Sequence, residues 1–314
     1  MKITLDISKL VEEGKLTREE ADKLTALAAH DTGSLGINIL IGFGVIAIAA
    51  GAVALVPTPL TAVSLGLALF AAGCAIVLNR VQQWILLGQI CLVIGALMFG
   101  GGVIAYGAGS LASMLIVTAA FALAAIAARS SLLMALAVLA ASACLGARTG
   151  YSDAVYSLAI FEPTLTVVLF SALALIAYQA SQRLPADYER LAITAARTSL
   201  LLINFGFWIG SLWGDPLMLL RSMNAKDASL DKTVIPATVF SILWAVVLLG
   251  AGIWAVQVNR RWLVNLVALF AGIHFYTQWF ERLGATPLSV LLGGVVMLAS
   301  AFALWMFNRR VLDA

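Results

Sequence analysis

Two strongly apolar stretches of the chain carry polar side chains at helical spacing, and these residues have the types and spacing needed for chemistry. In the first stretch, Arg197 and Asn204 are seven residues apart and therefore lie on one face of a helix. In the second, His274, Gln278 and Glu281 follow one another at spacings of four and three. Such polar stripes suit binding of a small ligand, passage of an ion, or relay of a proton through the histidine.

Each of these side chains also has a purely structural interpretation. Arg197 is only about two helical turns from the predicted inner end of its apolar stretch, so its long side chain can extend to the lipid headgroups. His274 can form a hydrogen bond with a neighbouring helix without titrating. The two stripes are therefore either a path for a ligand or an ion, or polar groups that hold helices together.

The sequence carries no motif of a known catalytic or cofactor site. It has no HExxH, no P-loop, no dinucleotide fingerprint and no nucleophile elbow. Cys74, Cys91 and Cys144 are isolated in apolar stretches, with no spacing that suits a metal. We therefore predict no enzymatic activity, no metal and no cofactor. A net charge of +3 is too small a basic excess to indicate nucleic-acid binding.

The composition places the chain in a membrane. Of its 314 residues, 62% are hydrophobic and only 11% are charged, whereas soluble domains carry roughly 25% charged residues. Ten apolar runs each approach the length of about 20 residues that a helix needs to cross a bilayer. The predicted fold class is therefore all-α, a polytopic transmembrane helical bundle of about ten spans. The runs lie near 34–56, 60–78, 84–105, 110–128, 131–147, 163–180, 191–213, 235–256, 262–280 and 288–308.

Positive charges predict the orientation of the bundle, because Lys and Arg accumulate in the cytoplasmic segments of membrane proteins. With the N-terminus inside, five such residues fall outside: Arg148, Arg221, Lys226, Lys232 and Arg282. Many more fall inside, namely Lys2, Lys9, Lys15, Arg18, Lys23, Arg80, Arg129, Arg183, Arg190, Arg260, Arg261, Arg309 and Arg310. This asymmetry predicts cytoplasmic termini and an even number of spans.

Residues 1–33 are the predicted soluble segment ahead of the first span. A short apolar stripe ends at Gly14, a typical helix stop, and Thr17 with Glu20 forms a capping box that begins a second helix. This pattern predicts a cytoplasmic amphipathic helical hairpin over 1–33, followed by the transmembrane bundle over 34–314. The hairpin either covers the bundle or docks a protein partner.

Two further patterns concern the loops between spans. Asp215-Pro216 predicts the N-cap and first residue of a short helix at the outer membrane interface. Thr58-Pro59 and Thr286-Pro287 begin two spans in the same way, and a glycine follows at the same offset in each. The similarity of 58–80 and 286–309 indicates either an internal duplication or shared turn chemistry.

The order of these features resembles a family of bacterial predicted membrane proteins, the domain of unknown function 2157. The likeness spans nearly the whole chain and lies in the segments LVEEGKLTREEADKL, IGFGVIAIAAGAVALVP, LLGQICLVIGALMFGGGVIAYG and HFYTQWFERLGATPLSVLLGG. The Asn-Trp pair associated with the end of that family's first span is replaced here by Gly51-Ala52-Val53. The resemblance implies a multi-span bundle in a bacterial inner membrane and supplies no reaction, ligand or site residue.

Two functions are compatible with these features. The first is binding or transport of a small solute, an ion or a lipid along the two polar stripes. The second is that of a non-catalytic membrane scaffold or accessory subunit, whose hairpin over 1–33 docks a cytoplasmic protein. Membrane lipids are predicted partners under both. A water-accessible cavity that joins the stripes would favour transport, whereas a dry core with Arg197 and His274 pointing in different directions would exclude it.

Overall fold

The computed structural model describes residues 10–11, 14–79, 82–152, 155–217 and 233–310. α-Helices make up most of this part of the chain, and one antiparallel pair of strands interrupts them. The elements are α1 (Arg18–Leu55), α2 (Pro59–Leu78), α3 (Ile85–Tyr106), α4 (Leu111–Ala128), α5 (Ser131–Cys144), β1 (Ala147–Ser152), β2 (Val155–Ile160), α6 (Pro163–Ser181), α7 (Ala186–Trp213), α8 (Ala237–Gln257), α9 (Arg261–Leu283) and α10 (Pro287–Arg310).

Cap chemistry in the sequence explains where several helices begin. The predicted capping box at α1 is confirmed: the Glu20 amide donates to the Thr17 hydroxyl at 3.3 Å, and the Thr17 amide donates to the Glu20 carboxylate at 3.0 Å. The Thr58 hydroxyl likewise accepts from the third residue of α2, with a proline at the first helical position. α6 also begins on a proline, Pro163.

Eight of the helices are long and apolar enough to cross a membrane, judged by length and composition, so the chain is a polytopic membrane protein. Two of the ten predicted spans are not among them. α5 has only 14 residues, about 21 Å of helix against a hydrocarbon core of about 30 Å. In α10, the apolar stretch over Pro287–Phe302 is also shorter than a full span within the described residues.

The second helix of the predicted N-terminal hairpin is continuous with the first predicted span. α1 runs without a break from Arg18 to Leu55, so the predicted boundary between residues 33 and 34 falls inside a single 38-residue helix. Gly33 and Gly36 lie at this point, and a glycine inside a helix costs only about 1 kcal/mol, which is not enough to end it. Most of the predicted first helix of the hairpin, residues 1–9 and 12–13, lies outside the described residues.

The segment between α5 and α6 contains strands that the all-α prediction lacked. β1 and β2 pair antiparallel, from Ala147 opposite Ile160 to Ser152 opposite Val155. A two-residue connection between the strands is typical of a hairpin, and Tyr151 and Tyr156, which lie opposite each other, are residues that favour strands. Gly146, with φ +85°, provides the left-handed conformation between α5 and β1.

Asp215 caps a helix, but not the predicted one. Its carboxylate accepts from the Thr164 amide in the first turn of α6 at 2.8 Å and from the Leu217 amide at 2.7 Å. Its backbone forms an isolated bridge with Ile235. Leu217 has a φ of 52° and therefore does not continue into a right-handed helix. Most of the predicted interfacial helix, from residue 218 onward, lies outside the described residues.

Contacts between helices divide the chain within α5 into two compact units. The first unit, Met1–Ala137, is centred on the pair α2 and α3, with α1 and α4 packed against α3. The second unit, Val138–Ala314, contains the pair α6 and α7, with α8 packed against both α7 and α9, and α10 against α9.

The similarity of 58–80 and 286–309 extends to helix capping but not to packing. The Thr58 hydroxyl accepts from the Thr61 amide, and the Thr286 hydroxyl accepts from the Ser289 amide in the same way. Gly66, however, lies against the backbone of α3, whereas a Cβ on Gly294 would meet nothing within 4 Å. The residues that the two segments share therefore form the same helix cap, but Gly66 and Gly294 have different surroundings.

Candidate functional site

Three helices of the second unit position the polar stripes. α7 and α9 run parallel, because contacts between them advance together along both helices: Arg197 with Trp262, Phe205 with Phe270, and Trp208 with Thr277. α8 runs antiparallel to both and contacts both. Helices α7 and α9 therefore touch through side chains along their length, with α8 in contact with both.

Trp244 of α8 joins the two predicted stripes. It is completely buried, and its indole Nε1–H donates to Oδ1 of Asn204 at 2.9 Å. Its ring centroid lies 4.9 Å from that of His274. The Asn204 amide nitrogen donates to the Leu200 carbonyl at 2.8 Å, so both ends of this side chain are hydrogen-bonded. Asn204 and His274 thus contact the same tryptophan.

His274 also contacts α8 directly. Its Nε2 lies 2.9 Å from the backbone carbonyl oxygen of Ser241. A carbonyl oxygen can only accept, so Nε2 carries the proton and donates. In the neutral ring, Nδ1 is then left as a hydrogen-bond acceptor. The described hydrogen bonds of His274 involve Nε2 alone.

The stripe on α9 continues from His274 toward the end of that helix. The Thr277 hydroxyl accepts from the Trp208 indole at 3.1 Å, which links α9 to α7. The amide nitrogen of Gln278 is buried and has no hydrogen-bond partner within the described part of the chain. Glu281, one turn further along, is exposed. Of the three predicted residues on α9, His274 and Gln278 therefore face protein, and Glu281 does not.

A long apolar groove runs between α8 and α9, and the two inner polar residues form part of its wall. Its volume is about 1030 Å³. It extends along α8 from Ser241 to Gln257, and His274 and Gln278 line it from α9. The other lining residues are Ala245, Leu248, Leu249, Gly252, Ile253, Val256, Val267, Ala271, Phe275, Trp279 and Leu283. Apart from the histidine, none of these residues is titratable.

Arg197 is not part of this cluster. It is exposed, and its guanidinium carbon lies 4.8 Å from the centroid of the Trp262 ring. It lies about two turns before Asn204 on α7. The two predicted residues of α7 thus have different surroundings. Arg197 is exposed and contacts Trp262 at the start of α9, whereas Asn204 contacts the buried Trp244 of α8.

Sequence reasoning identified the polar residues but missed Trp244, which joins them. The available signal was its position, since Trp244 lies in the middle of its apolar run, whereas tryptophans of membrane proteins favour the interfaces. A buried tryptophan needs an acceptor for its N–H, so a partner on a neighbouring helix was to be expected.

The chemistry that this arrangement offers is hydrogen bonding beside an apolar surface. Where the chain is described, no group of three or more His, Cys, Asp or Glu side chains lies close enough to hold a metal. No family model, curated protein or solved structure matches this chain. The resemblance to the bacterial membrane family therefore stays a prediction.

Proposed function

We propose that this protein binds an uncharged, amphipathic, lipid-like molecule in the groove between α8 and α9, within a bacterial inner membrane. The observation that carries the proposal is the groove itself, about 1030 Å³ of largely apolar wall with His274 and Gln278 near one end. The length of α8 along it, from Ser241 to Gln257, corresponds to about 24 Å of helix. That length suits an extended alkyl chain.

The polar groups in the wall favour a ligand with a small neutral head. An unpaired buried amide nitrogen costs about 1–3 kcal/mol, and an ester or hydroxyl oxygen of a ligand would offset this cost at Gln278. The acceptor left on His274 suits a ligand hydroxyl or amide hydrogen. The absence of a fixed charge among the lining residues disfavours a charged head.

Binding is proposed rather than transport of an ion or a polar solute. A polar solute needs a polar lining through the membrane, and the groove is apolar over most of its length. Arg197 and His274, which a shared path would bring together, lie in separate surroundings along α7 and α9. The sequence left three ligand classes open: a small solute, an ion or a lipid. The apolar groove supports a lipid.

The proposed orientation keeps the two ends of the chain in the cytoplasm, with ten spans formed by α1 to α10. The excess of Lys and Arg in the segments predicted inside supports it. In this orientation α8 begins and α9 ends at the outer side, so the end of the groove that contains His274 and Gln278 lies toward the outer leaflet. The short helix α5 would then cross where the bilayer is locally thinner.

The groove can be tested with a photoreactive probe, a C16 alcohol that carries a diazirine, added to the full-length protein in phospholipid vesicles. We expect labelling of peptides that contain residues 241–257 and 267–283. Ala245→Trp or Ala271→Trp fills the groove and should reduce labelling at least five-fold. Ala172→Trp, at an exposed alanine of α6, is the matched control and should leave labelling unchanged.

The same experiment also tests whether Gln278 contacts the polar head of the ligand. Gln278→Leu should weaken labelling by the alcohol but not by a C16 alkane with the same diazirine. Equal labelling of the wild type and both groove-filling variants would exclude this groove as the binding site. Equal loss of both probes in the leucine variant would limit the role of Gln278 to packing.

A second candidate function, that of a scaffold, draws on one observation about α1. This helix begins at Arg18, 18 residues ahead of the apolar stretch that starts at Gly36. That extension is about 27 Å of helix beyond the span, long enough to dock a cytoplasmic protein. Deletion of residues 1–33 should then abolish co-purification of the partner, whereas Ala245→Trp should not; an unchanged pull-down after the deletion would exclude docking through this segment.

A further inference from the structure

We propose that Arg197, together with Arg190 and Trp262, binds the headgroup of an anionic phospholipid where α7 and α9 begin. This site is separate from the groove between α8 and α9 and does not rest on the function proposed for it. None of the three residues lines the groove.

The length of α7 places Arg197 near the membrane boundary. Its 28 residues extend about 42 Å, which exceeds a hydrocarbon core of about 30 Å. The excess lies at the start of the helix, where Asp187, Glu189 and Arg190 are found. Arg197 lies about 16 Å from that start, just inside the apolar region, and it is exposed. An arginine in this position is costly unless its charge reaches the headgroups or meets an anion.

Trp262 holds the guanidinium of Arg197 in place. The 4.8 Å between the guanidinium carbon and the ring centroid is a cation–π contact. A cation–π contact uses none of the N–H groups of the guanidinium as hydrogen-bond donors to a carboxylate or phosphate, and these donors form a fork that matches a phosphate. No carboxylate within the described part of the chain pairs with Arg197, so an anionic ligand would not compete with an acidic side chain for this guanidinium.

Two more arginines lie at the beginnings of the same two helices. Arg190 precedes Arg197 by seven residues and lies on the same face of α7. Arg260 lies two residues before Trp262, at the N-cap of α9. Each carries one fixed charge at all physiological pH values. A phosphodiester supplies the complementary negative charge and two unesterified oxygens.

The surface beside these arginines favours a lipid over a soluble phosphate. Leu201 follows Arg197 by one turn on the same face of α7 and is 38% exposed. A lipid whose phosphate contacts Arg197 can lay its acyl chain along this leucine, whereas a soluble phosphate has no use for it. Anionic lipids are typical ligands of basic surfaces at this depth.

The test is native mass spectrometry of the delipidated full-length protein in detergent, titrated with phosphatidylglycerol or with phosphatidylcholine of the same acyl chains. For Arg197→Gln we expect at least a ten-fold weaker apparent affinity for phosphatidylglycerol and an unchanged affinity for phosphatidylcholine. Arg197→Lys should lie between the two, because a lysine keeps the charge without the fork. Arg18→Gln, at an exposed arginine of α1, is the matched control and should bind as the wild type does.

Further variants separate the possible causes of a loss. Trp262→Leu keeps an apolar residue but removes the stacking, and should weaken phosphatidylglycerol binding about three-fold. Ala271→Trp, which fills the groove, should leave it unchanged. Wild-type affinity in Arg197→Gln, or an equal loss for both lipids, would overturn the proposal. Competition by millimolar glycerol phosphate as effective as that by the lipid would reassign the site to a soluble anion.

Discussion

The two units of this protein differ in what lies between their central helices. In the first unit, α2 and α3 meet through glycines, and a Cβ on Gly95 would lie 2.5 Å from the backbone nitrogen of Phe70 and 2.7 Å from the carbonyl oxygen of Gly66. In the second unit, α7, α8 and α9 meet through large side chains, and the completely buried Trp244 contacts both Asn204 and His274.

This difference shows two solutions to one physical problem. Lipid is as apolar as leucine, so helices in a membrane gain little from burying apolar surface and must associate through close packing or hydrogen bonds. Glycine lets two backbones touch and leaves no room between them. Tryptophan, asparagine and histidine keep backbones apart and bond across the gap, and in the second unit a groove lies alongside them. Ligand binding is therefore expected in the second unit.

The largest change in stability is expected for a substitution at Gly95, where two backbones touch. We expect Gly95→Leu to destabilise the first unit by about 3 kcal/mol, because the new side chain must push apart two backbones that cannot rearrange as a flexible side chain would. The free energy of unfolding in mixed micelles measures this. Gly101→Leu on the same helix is the matched control, since a Cβ there meets nothing within 4 Å. Similar losses in both variants would show that glycine contacts do not hold α2 to α3.

A smaller effect is expected at Trp244 of the second unit. Trp244→Phe keeps an aromatic ring but removes the N–H that Asn204 accepts, which costs about 2 kcal/mol when the acceptor stays buried. Trp254→Phe on the same helix is the control, because that tryptophan is 46% exposed. Thermal unfolding of both variants, followed by circular dichroism, measures the difference. Equal stability of the two would mean that the hydrogen bond between α8 and α7 contributes nothing measurable.

The features that could be predicted from the sequence are those governed by local chemistry. The apolar runs gave most helix positions to within a few residues, since a span is defined by its own length and composition. The capping box at Thr17 and the helix start at Thr58-Pro59 were predicted from neighbouring residues. The polar stripes of α7 and α9 followed from helical spacing, and two of their members, Asn204 and His274, do contact the same residue.

The features that could not be predicted depend on which helices are neighbours. In a helix of a soluble protein, the apolar face is the one that packs against the rest of the protein. A membrane span is apolar on all faces, so its sequence does not predict which face contacts another helix. Trp244 could therefore not be placed between the stripes, nor could the groove beside it. Asp215 was expected to bond only the residues after it. Its carboxylate does accept from the Leu217 amide, but it also caps α6, from 51 residues away, because the end of α7 lies beside the start of α6.

The smallest expected effect is at the start of α1, which is held by hydrogen bonds rather than by glycine or aromatic packing. The Thr17 backbone amide, and then its hydroxyl, donate to the Glu20 carboxylate and hold the pKa of Glu20 below its usual range. Because the folded-state pKa is lowered, the contribution of this contact to stability is present above the ordinary glutamate pKa of about 4.3 and is lost as the pH falls through the lower, folded value.

Hydrogen exchange of the peptide that begins at Arg18 measures this contact. After correction for intrinsic rates, we expect protection of its first amides to fall between pH 6 and pH 3. Glu20→Gln can keep the capping geometry without a titratable group, so its protection should not change over this range. The peptides of α3 are the internal comparison, since glycine contacts contain nothing that titrates there. A parallel loss in α3 would mean that acid loosens the whole first unit, and the effect could then not be assigned to the capping box.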